Sequence, residues 1–591
     1  MSEATTTPPP LPTPGERLAA WRTAWPAALA CWSRFTRLRD PRLCDTRVEA
    51  AQEGLSGSFA MIRLFDQSVV IDMETVARFG LDDLAVEVLA HEIGHHVLAP
   101  ATASDQFRLL ARMRRALPTL ERHAPMVANL YTDLFINDRL QRRAGLRMDE
   151  VYRRLARATP ASPDNRLWML YMGIYEELWS LPRGSLGGAV DDVRIRGDAW
   201  LGARLIRVYS GEWLHAAGRF ATLLLEYLVE DTHGSDALGY LHDTRMAAEH
   251  CEPSGLVDVE SDELDGGIHP SEDPGLSGER TAPVEPATSN ERSTGQAREP
   301  FEYGEILKAA GVTRSEHDIA VRYYRERALP DLVPFPTRRA PESPEPLPEG
   351  LETWEVGDAV EDIDWFQSVL VSPRIIPGVT TVRRTMGVSP GREQDVIPVD
   401  LDIYVDSSGS MPNPQQHTSY LALAGAIIAL SALRTGSRVQ ATLWSGKQQY
   451  MHTEGFVRDE DAILRVLTGY YGGATAFPIH RLRETFAARR PHDRPVHILM
   501  ISDAGIDTMF ARDEQGLSGW DISAHALAVG RAGGTMALNI PANWTSGQWF
   551  GDLRRARDEQ GWAIHPCATM EDLVAFARAF SDQHYRNREA A

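Results

Sequence analysis

Apolar residues recur three and four positions apart from Glu16 to about Glu249, with Trp and Leu prominent among them, and this spacing predicts a mostly helical region. One stretch departs from it: Ser58–Met73, SFAMIRLFDQSVVIDM, is β-branched and aromatic enough to read as strand. Phe301–Ala328 returns to helical spacing after a gap, and Pro330–Gly350 is a proline-rich break. From about Val396 onward, strand-like runs alternate with amphipathic stretches, the pattern of a doubly wound α/β sheet. Within it VQATLWSG, HILMISD and HALAVG read as core strands, and SYLALAGAIIALSALRTG as a helix buried nearly all round, in which Gly425 is a close-packing position.

These patterns give a multidomain chain. Residues 1–15, rich in Thr and Pro, are expected to be disordered; 16–250 form a mainly α domain with a small β element; 251–300 are an acidic flexible linker; 301–340 are a helical connector; 341–395 are an acidic, Pro-rich strap; and 396–591 are an α/β, Rossmann-like domain. The linker is read from Glu252–Pro300, which holds no aromatic residue and sets 3 Arg against 12 acids. In the strap, Trp354 and Trp365 flank an acidic run and are expected to pack on the following domain, with Asp362 or Asp364 as a candidate internal ligand for the α/β domain's own site.

The 591 residues exceed what one core organises, and they carry 61 Lys and Arg against 82 Asp and Glu, a net charge of −21. That balance argues against a nucleic-acid binder, which needs a basic footprint; the locally basic RMRRALPTLERH at Arg112–His123 reads as a solvated helix face. The acidity is local. The linker and Pro341–Asp364 each account for −9, leaving −3 over the remaining 518 residues, so recognition by the folded domains should rest on specific sites more than on a global field. The four cysteines are scattered, no basic start is followed by an apolar stretch, and the run near Leu421–Leu433 is short of the ~20 residues a membrane helix needs; a soluble, cytoplasmic protein is the expectation.

Two segments carry chemistry. In AVEVLAHEIGHHVLAP, His91 and His95 lie four residues apart, which on a helix puts both imidazoles within reach of one metal ion. Glu92 then lies beside them, placed to take a proton from a water on that ion, the logic of zinc peptidases with the HExxH motif. Asp82 and Asp83 suit the start of this helix and Pro100 its end, while His96, about 100° around the axis from His95, reads as packing rather than ligand. Leu98 and Ala101 exclude the metzincin pattern. A third ligand is still needed. In VANLYTDLFINDRL, Asn129, Asp133 and Asn137 share one helix face; Asp133 is the best candidate, with His123 as the alternative and the two asparagines in supporting positions. Tyr131, His123 and Tyr171 are candidates for stabilising an oxyanion.

The second segment is PVDLDIYVDSSGSM, which sets Asp406, Ser408 and Ser410 at the C-terminal end of an apolar strand, where ligands of open α/β sheets gather. Thr475, in the Gly-rich YYGGATAF, and Asp503, ending another strand, join them as hard oxygen donors suited to Mg²⁺ or Mn²⁺.

HEIGHH followed by ANLYTDLFIND resembles the metallopeptidase domain of a bacterial family in which a zincin-like domain precedes a von Willebrand factor A (VWA) domain; the likeness is close from Ser58 to Leu140. That family's pattern, HExxH and then N-x-x-x-D-x-x-x-N, is met at His91, Glu92, His95, Asn129, Asp133 and Asn137. The second segment resembles the metal-ion-dependent adhesion site of VWA domains, D-x-S-x-S, then T, then D, filled here by Asp406, Ser408, Ser410, Thr475 and Asp503. The resemblance implies Zn²⁺ at the first site, with Glu92 as catalytic base on a peptide or protein substrate. At the second it implies Mg²⁺ or Mn²⁺ bridged to a carboxylate of a partner protein, with a MoxR-type AAA+ ATPase as a partner such proteins work with. It leaves two expectations: a zinc metallopeptidase whose adhesion domain recruits a target, or a non-catalytic scaffold working with the ATPase in an assembly or conflict-defence system. A purely structural site would need the histidines but not Glu92, which favours the enzyme.

Overall fold

A computed structural model describes residues 13–33, 35–55, 57–158, 165–188, 191–230, 244–245, 253–260, 263, 267–277, 297–333, 347–387, 398–487, 489–490 and 493–585. The chain divides into two compact units, Met1–Glu326 with Pro414–Thr418, and Arg327–Asn413 with Ser419–Ala591. A helical domain and an α/β domain are the result, divided at Glu326 rather than within the expected linker.

In the first unit, helix α1 (Pro14–Ala30) opens with a capping box between Thr13 and Glu16, so the segment expected to be disordered already contributes Pro14 and Gly15 to a helix; residues 1–12 lie outside the described residues. Strands β1 (Arg42–Cys44), β2 (Ala60–Arg63), β3 (Ser68–Asp72) and the two-residue β4 (Thr244–Arg245) form a sheet in the order β1-β3-β2-β4. The strand-like run Ser58–Met73 is therefore two antiparallel strands, with Ile62 opposite Val69 and a turn at Gln67 of positive φ. The polar run Asp66-Gln67-Ser68, which separates the apolar stretches of the two strands, marks the turn.

Helices α2 (Ala85–Val97), α3 (Ala103–Ala116), α4 (Ala124–Arg139), α5 (Met148–Ala158) and α6 (Arg166–Trp179) follow. Asp82 and Asp83 do not cap α2. Its N-cap is Leu84, and the two carboxylates instead pair with Arg17 and Arg154, tying α2 to α1 and α5. Trp32, just beyond α1, donates its indole N–H to the Ala90 carbonyl (2.7 Å) and so pins α1 against α2.

Two expectations change here for related reasons, the second over the described residues of its stretch. Arg112 is buried, not solvated, and pairs with Glu260. Glu260 belongs to the stretch expected to be a flexible linker, yet Leu256, Val257, Val259 and Leu276 are buried and Arg298 forms a buried ion pair with Glu263. A handful of aliphatic anchors and two matched arginines offset the ordering cost that the lack of aromatics had suggested could not be met. Residues 251–252, 261–262, 264–266 and 278–296 of that stretch lie outside the described residues.

The second unit begins with a two-stranded antiparallel ladder, β5 (Leu347–Thr353) and β6 (Val382–Gly387), connected through helix α7 (Trp365–Val371). Its main sheet has the order β12-β11-β10-β7-β8-β9, built from β7 (Asp400–Asp406), β8 (Val439–Trp444), β9 (Tyr450–His452), β10 (Val496–Asp503), β11 (Arg531–Asn539) and β12 (Ala563–Pro566). All neighbours are parallel except β8 and β9. Helix α8 (Tyr420–Arg434) is buried nearly all round, as its composition required. HALAVG is not a strand: it ends the helix Gly519–Gly530, and β11 starts one residue later. A short apolar run does not declare its period, and here the longer GWDISAHALAVG decides it. Among the described residues no helix is long and apolar enough to cross a membrane.

His497 on β10 gives this unit a pH dependence. Its Nδ1–H donates to the Ala532 carbonyl (2.7 Å) and its Nε2 accepts from Thr535 Oγ1 (3.0 Å), so the neutral ring is satisfied on both sides. Burial, with the neighbouring His584, pushes its pKa down from 6.5 to about 4. A base with a depressed folded pKa stabilises fully above its unfolded value and loses that stability as pH falls. Between pH 6.5 and about 4 this group alone should cost about 3 kcal/mol. His497→Gln should flatten that part of the curve of unfolding free energy against pH; a curve parallel to the wild type's would remove His497 from the account.

Candidate metal centre

The HEIGH segment lies on α2 and VANLYTDLFIND on α4, and their packing brings His91, His95 and Asp133 together with one ligand atom from each within 4.8 Å of the others. Asp133 Oδ1 is 3.4 Å from His95 Nε2 and 3.8 Å from His91 Nε2. A tetrahedral zinc with ligand bonds of 2.0–2.1 Å sets its donors about 3.4 Å apart, so the spacing suits such an ion. The donor chemistry suits it too: two imidazoles and one carboxylate, all buried. His123, the alternative ligand, is outside this group and accepts from Arg122 Nε.

Each ligand is oriented from behind. His91 Nδ1 lies 2.7 Å from Asn137 Oδ1 and His95 Nδ1 lies 3.0 Å from the Ala99 carbonyl. Both oxygens can only accept, so each Nδ1 carries the proton and each Nε2 turns a lone pair toward Asp133. Asn129 Nδ2 donates to Asp133 Oδ2 (3.3 Å), leaving Oδ1 as the oxygen that faces the imidazoles. The two asparagines expected to support the site thus hold different ligands, one the carboxylate and one His91.

Behind Asn137 stands a tyrosine cluster to which no motif in the chain had pointed. Asn137 Nδ2 donates to the hydroxyls of Tyr152 and Tyr175, both at 2.9 Å, and Tyr171 and Tyr175 are linked at 3.0 Å. Burial, reinforced by the Asp133 charge, keeps all three protonated. The i, i+4 spacing of Tyr171 and Tyr175 was visible, but its target, 34 or more residues away, was not.

A small cleft of about 30 Å³ opens on the site, lined by His91, Glu92, Asp133 and Asn137 and walled by Ser58, Phe59, Val88, Met148, Val151, Tyr152 and Leu155. Glu92 follows His91 in the chain and shares the cleft without belonging to the three-residue group. None of the expected oxyanion helpers lines it: Tyr131 donates to the Trp213 carbonyl, His123 heads α4, and Tyr171 sits in the cluster behind. Tyr152 lines it instead. His96 is half-buried, and burial lowers its pKa.

In the second unit, Asp406 ends β7 and Asp503 ends β10, neighbouring strands whose onward connections run to opposite sides of the sheet. Ser410 Oγ is 3.2 Å from Ser408 Oγ and donates to Asp503 Oδ2 at 3.1 Å. Asp406 accepts from the Ser408 amide (2.8 Å) and from Ser502 Oγ (2.6 Å), a partner the sequence did not flag. Burial raises the Asp406 pKa and the Asp503 charge adds to that rise, a strain that a bound cation would relieve. Thr475 packs at Gly505, where a Cβ would come 2.6 Å from Thr475 Cγ2, so the loop after β10 needs glycine to close on it. The donors fit a hard divalent cation. Asp364 is taken up within its own segment by the Gln367 amide and Arg384, and nothing places it at this site.

No family model and no curated protein matches the chain. Among solved structures, it is similar over 35% of its length to 70% of a point mutant of the PilB minor pilin from Streptococcus sanguinis, with 12% identity and a TM-score of 0.24.

Proposed function

We propose that the chain is a zinc-dependent metallopeptidase carrying a VWA-type adhesion domain, which recruits a protein partner or substrate through Mg²⁺ or Mn²⁺. The convergence of His91, His95 and Asp133, with His91, Asp133 and Glu92 lining one cleft, carries this reading. When bound, the zinc ion would polarise a peptide carbonyl and acidify water. His91, His95 and Asp133 would hold it, while Asn137 and the Ala99 carbonyl fix the imidazole tautomers and Asn129 orients the carboxylate. Glu92 takes the proton from the attacking water and returns it to the leaving amine. Phe59, Val88, Met148, Val151 and Leu155 form the apolar wall of the small cleft beside these groups.

The deep burial of Glu92 (1% exposed) and His95 (0%) favours a second reading, a structural ion in a non-catalytic scaffold that works with a MoxR-type AAA+ ATPase. Metal analysis of the purified chain, paired with digestion of a peptide library, separates the two. One equivalent of zinc, with cleavage abolished by a chelator and restored by zinc, supports the peptidase; zinc without cleavage, with the ATPase present, leaves the scaffold.

Asp406, Ser408, Ser410, Thr475 and Asp503 would hold the second cation, with a partner's carboxylate completing its shell. Asp406→Ala is expected to weaken Mn²⁺ binding, measured by calorimetry, by about tenfold or more while zinc content stays unchanged. Undiminished Mn²⁺ binding in that variant would end the adhesion-site reading without touching the first site.

A further inference from the structure

Helix α7 is inside out. Its inward position is Ser368, fully buried, whose Oγ donates to the Asp364 carbonyl and accepts from the Val382 amide (2.9 Å). Trp365, Phe366, Val369 and Leu370 occupy two adjoining i, i+4 stripes and are 53%, 71%, 50% and 65% exposed. An amphipathic helix normally turns its apolar stripe to the core, and this one turns it to solvent. Trp354 is buried, with its indole N–H on the Ala359 carbonyl of its own segment, whereas Trp365, also expected to pack, is exposed. At typical side-chain areas the four residues present on the order of 450 Å² of apolar surface, the size at which an exposed patch marks an interaction site.

The surrounding charge identifies the occupant. Residues 347–387 contain seven acids and three arginines. Arg383 pairs with Glu352 and Asp358, and Arg384 with Asp364. Exposed Glu361 and Asp362 lie four and three residues before Trp365, with Asp362 also acting on the Arg383 charge, and Glu355 is exposed in the same segment. A second copy docked face to face would set these acids against each other, and the patch is smaller than the ~800 Å² per partner of a stable dimer. An anionic membrane is disfavoured by the same charge.

We propose that the outer face of α7 docks a basic amphipathic segment of a partner protein, its apolar stripe laid on Trp365, Phe366, Val369 and Leu370 and its cations against Glu361 and Asp362. This docking is independent of both metal sites. The probes are three fluorescent synthetic peptides of equal length: a Leu/Lys amphipathic helix, its Leu/Glu counterpart, and a Ser/Lys peptide without an apolar face. Each is titrated with the full chain by anisotropy. The Leu/Lys peptide should bind at least about tenfold more tightly than the others, and should lose about tenfold in Phe366→Ser/Leu370→Ser. Glu361→Lys/Asp362→Lys, which leaves the apolar face intact, should also weaken it and reduce its salt dependence, so the test survives a folding defect in the first variant. Equal binding of the Ser/Lys peptide would reduce the effect to general acidity and overturn the proposal. So would self-association abolished by Phe366→Ser/Leu370→Ser, Trp365-dependent binding to phosphatidylcholine vesicles, or Leu/Lys binding unaffected by both variants.

Discussion

Glu92→Gln should leave the zinc content at one equivalent while peptide hydrolysis falls by roughly a hundred- to ten-thousandfold, the range that loss of a positioned general base produces. Both halves follow from where Glu92 stands: it shares the cleft but is outside the group formed by His91, His95 and Asp133, so the amide keeps the volume and removes only the proton acceptor. Asp133→Ala should do the reverse and lose the metal. It removes the oxygen that lies within 4 Å of both imidazoles and also strands Asn129, whose amide donates to the same carboxylate. Asn137→Ala should weaken zinc by about ten- to a hundredfold, because it frees the His91 ring and leaves the Tyr152 and Tyr175 hydroxyls without their amide donor. Metal content by mass spectrometry and hydrolysis of one library-derived peptide read all three variants. Full hydrolysis in Glu92→Gln would end the catalytic role of Glu92, and full zinc in Asp133→Ala would end the ligand assignment.

What could be read from the chain alone was whatever a single element fixes. The four-residue spacing of His91 and His95, and of Asn129, Asp133 and Asn137, is a property of one helix each, so the faces were legible. That Asn129 would serve Asp133 and Asn137 would serve His91 depends on how α2 meets α4, and helical spacing says nothing about that. The donors at the second site were legible because both carboxylates end strands, whereas Ser502, one residue before Asp503, was hidden because its partner lies on the neighbouring strand. Composition misled where a few residues outweighed many. Leu256, Val257 and Val259, with the Arg112–Glu260 and Arg298–Glu263 pairs, order part of a stretch whose average reads as linker. Helix α7 defeated the amphipathic rule altogether, since its spacing shows a face but not which way that face points.

The same packing gives the position between the two histidines its own consequence. Gly94 faces the junction of α2 with α4 and Trp32, and a Cβ there would lie 2.7 Å from Trp32 Cζ2 and closer still to Ile136 Cγ2. Neither neighbour can yield cheaply. The Trp32 ring is held by its bond to the Ala90 carbonyl, and Ile136 is fully buried three residues after Asp133 on α4. Relief must therefore come from separating α2 from α4, which moves His91 and His95 away from Asp133. Gly94→Ala should destabilise the first unit by about 1–3 kcal/mol, even though alanine favours the helix by up to ~1 kcal/mol, because overpacking outweighs propensity in a closed junction. Zinc affinity should fall by at least about tenfold, since shifts well under an ångström spoil a three-ligand site. Pairing Gly94→Ala with Ile136→Leu, which takes away the Cγ2 branch at the point of contact while keeping the side-chain volume, should recover part of both losses. Recovery of stability without recovery of zinc affinity would show that the glycine serves the fold alone, and that the approach of α2 to α4 does not set the metal geometry.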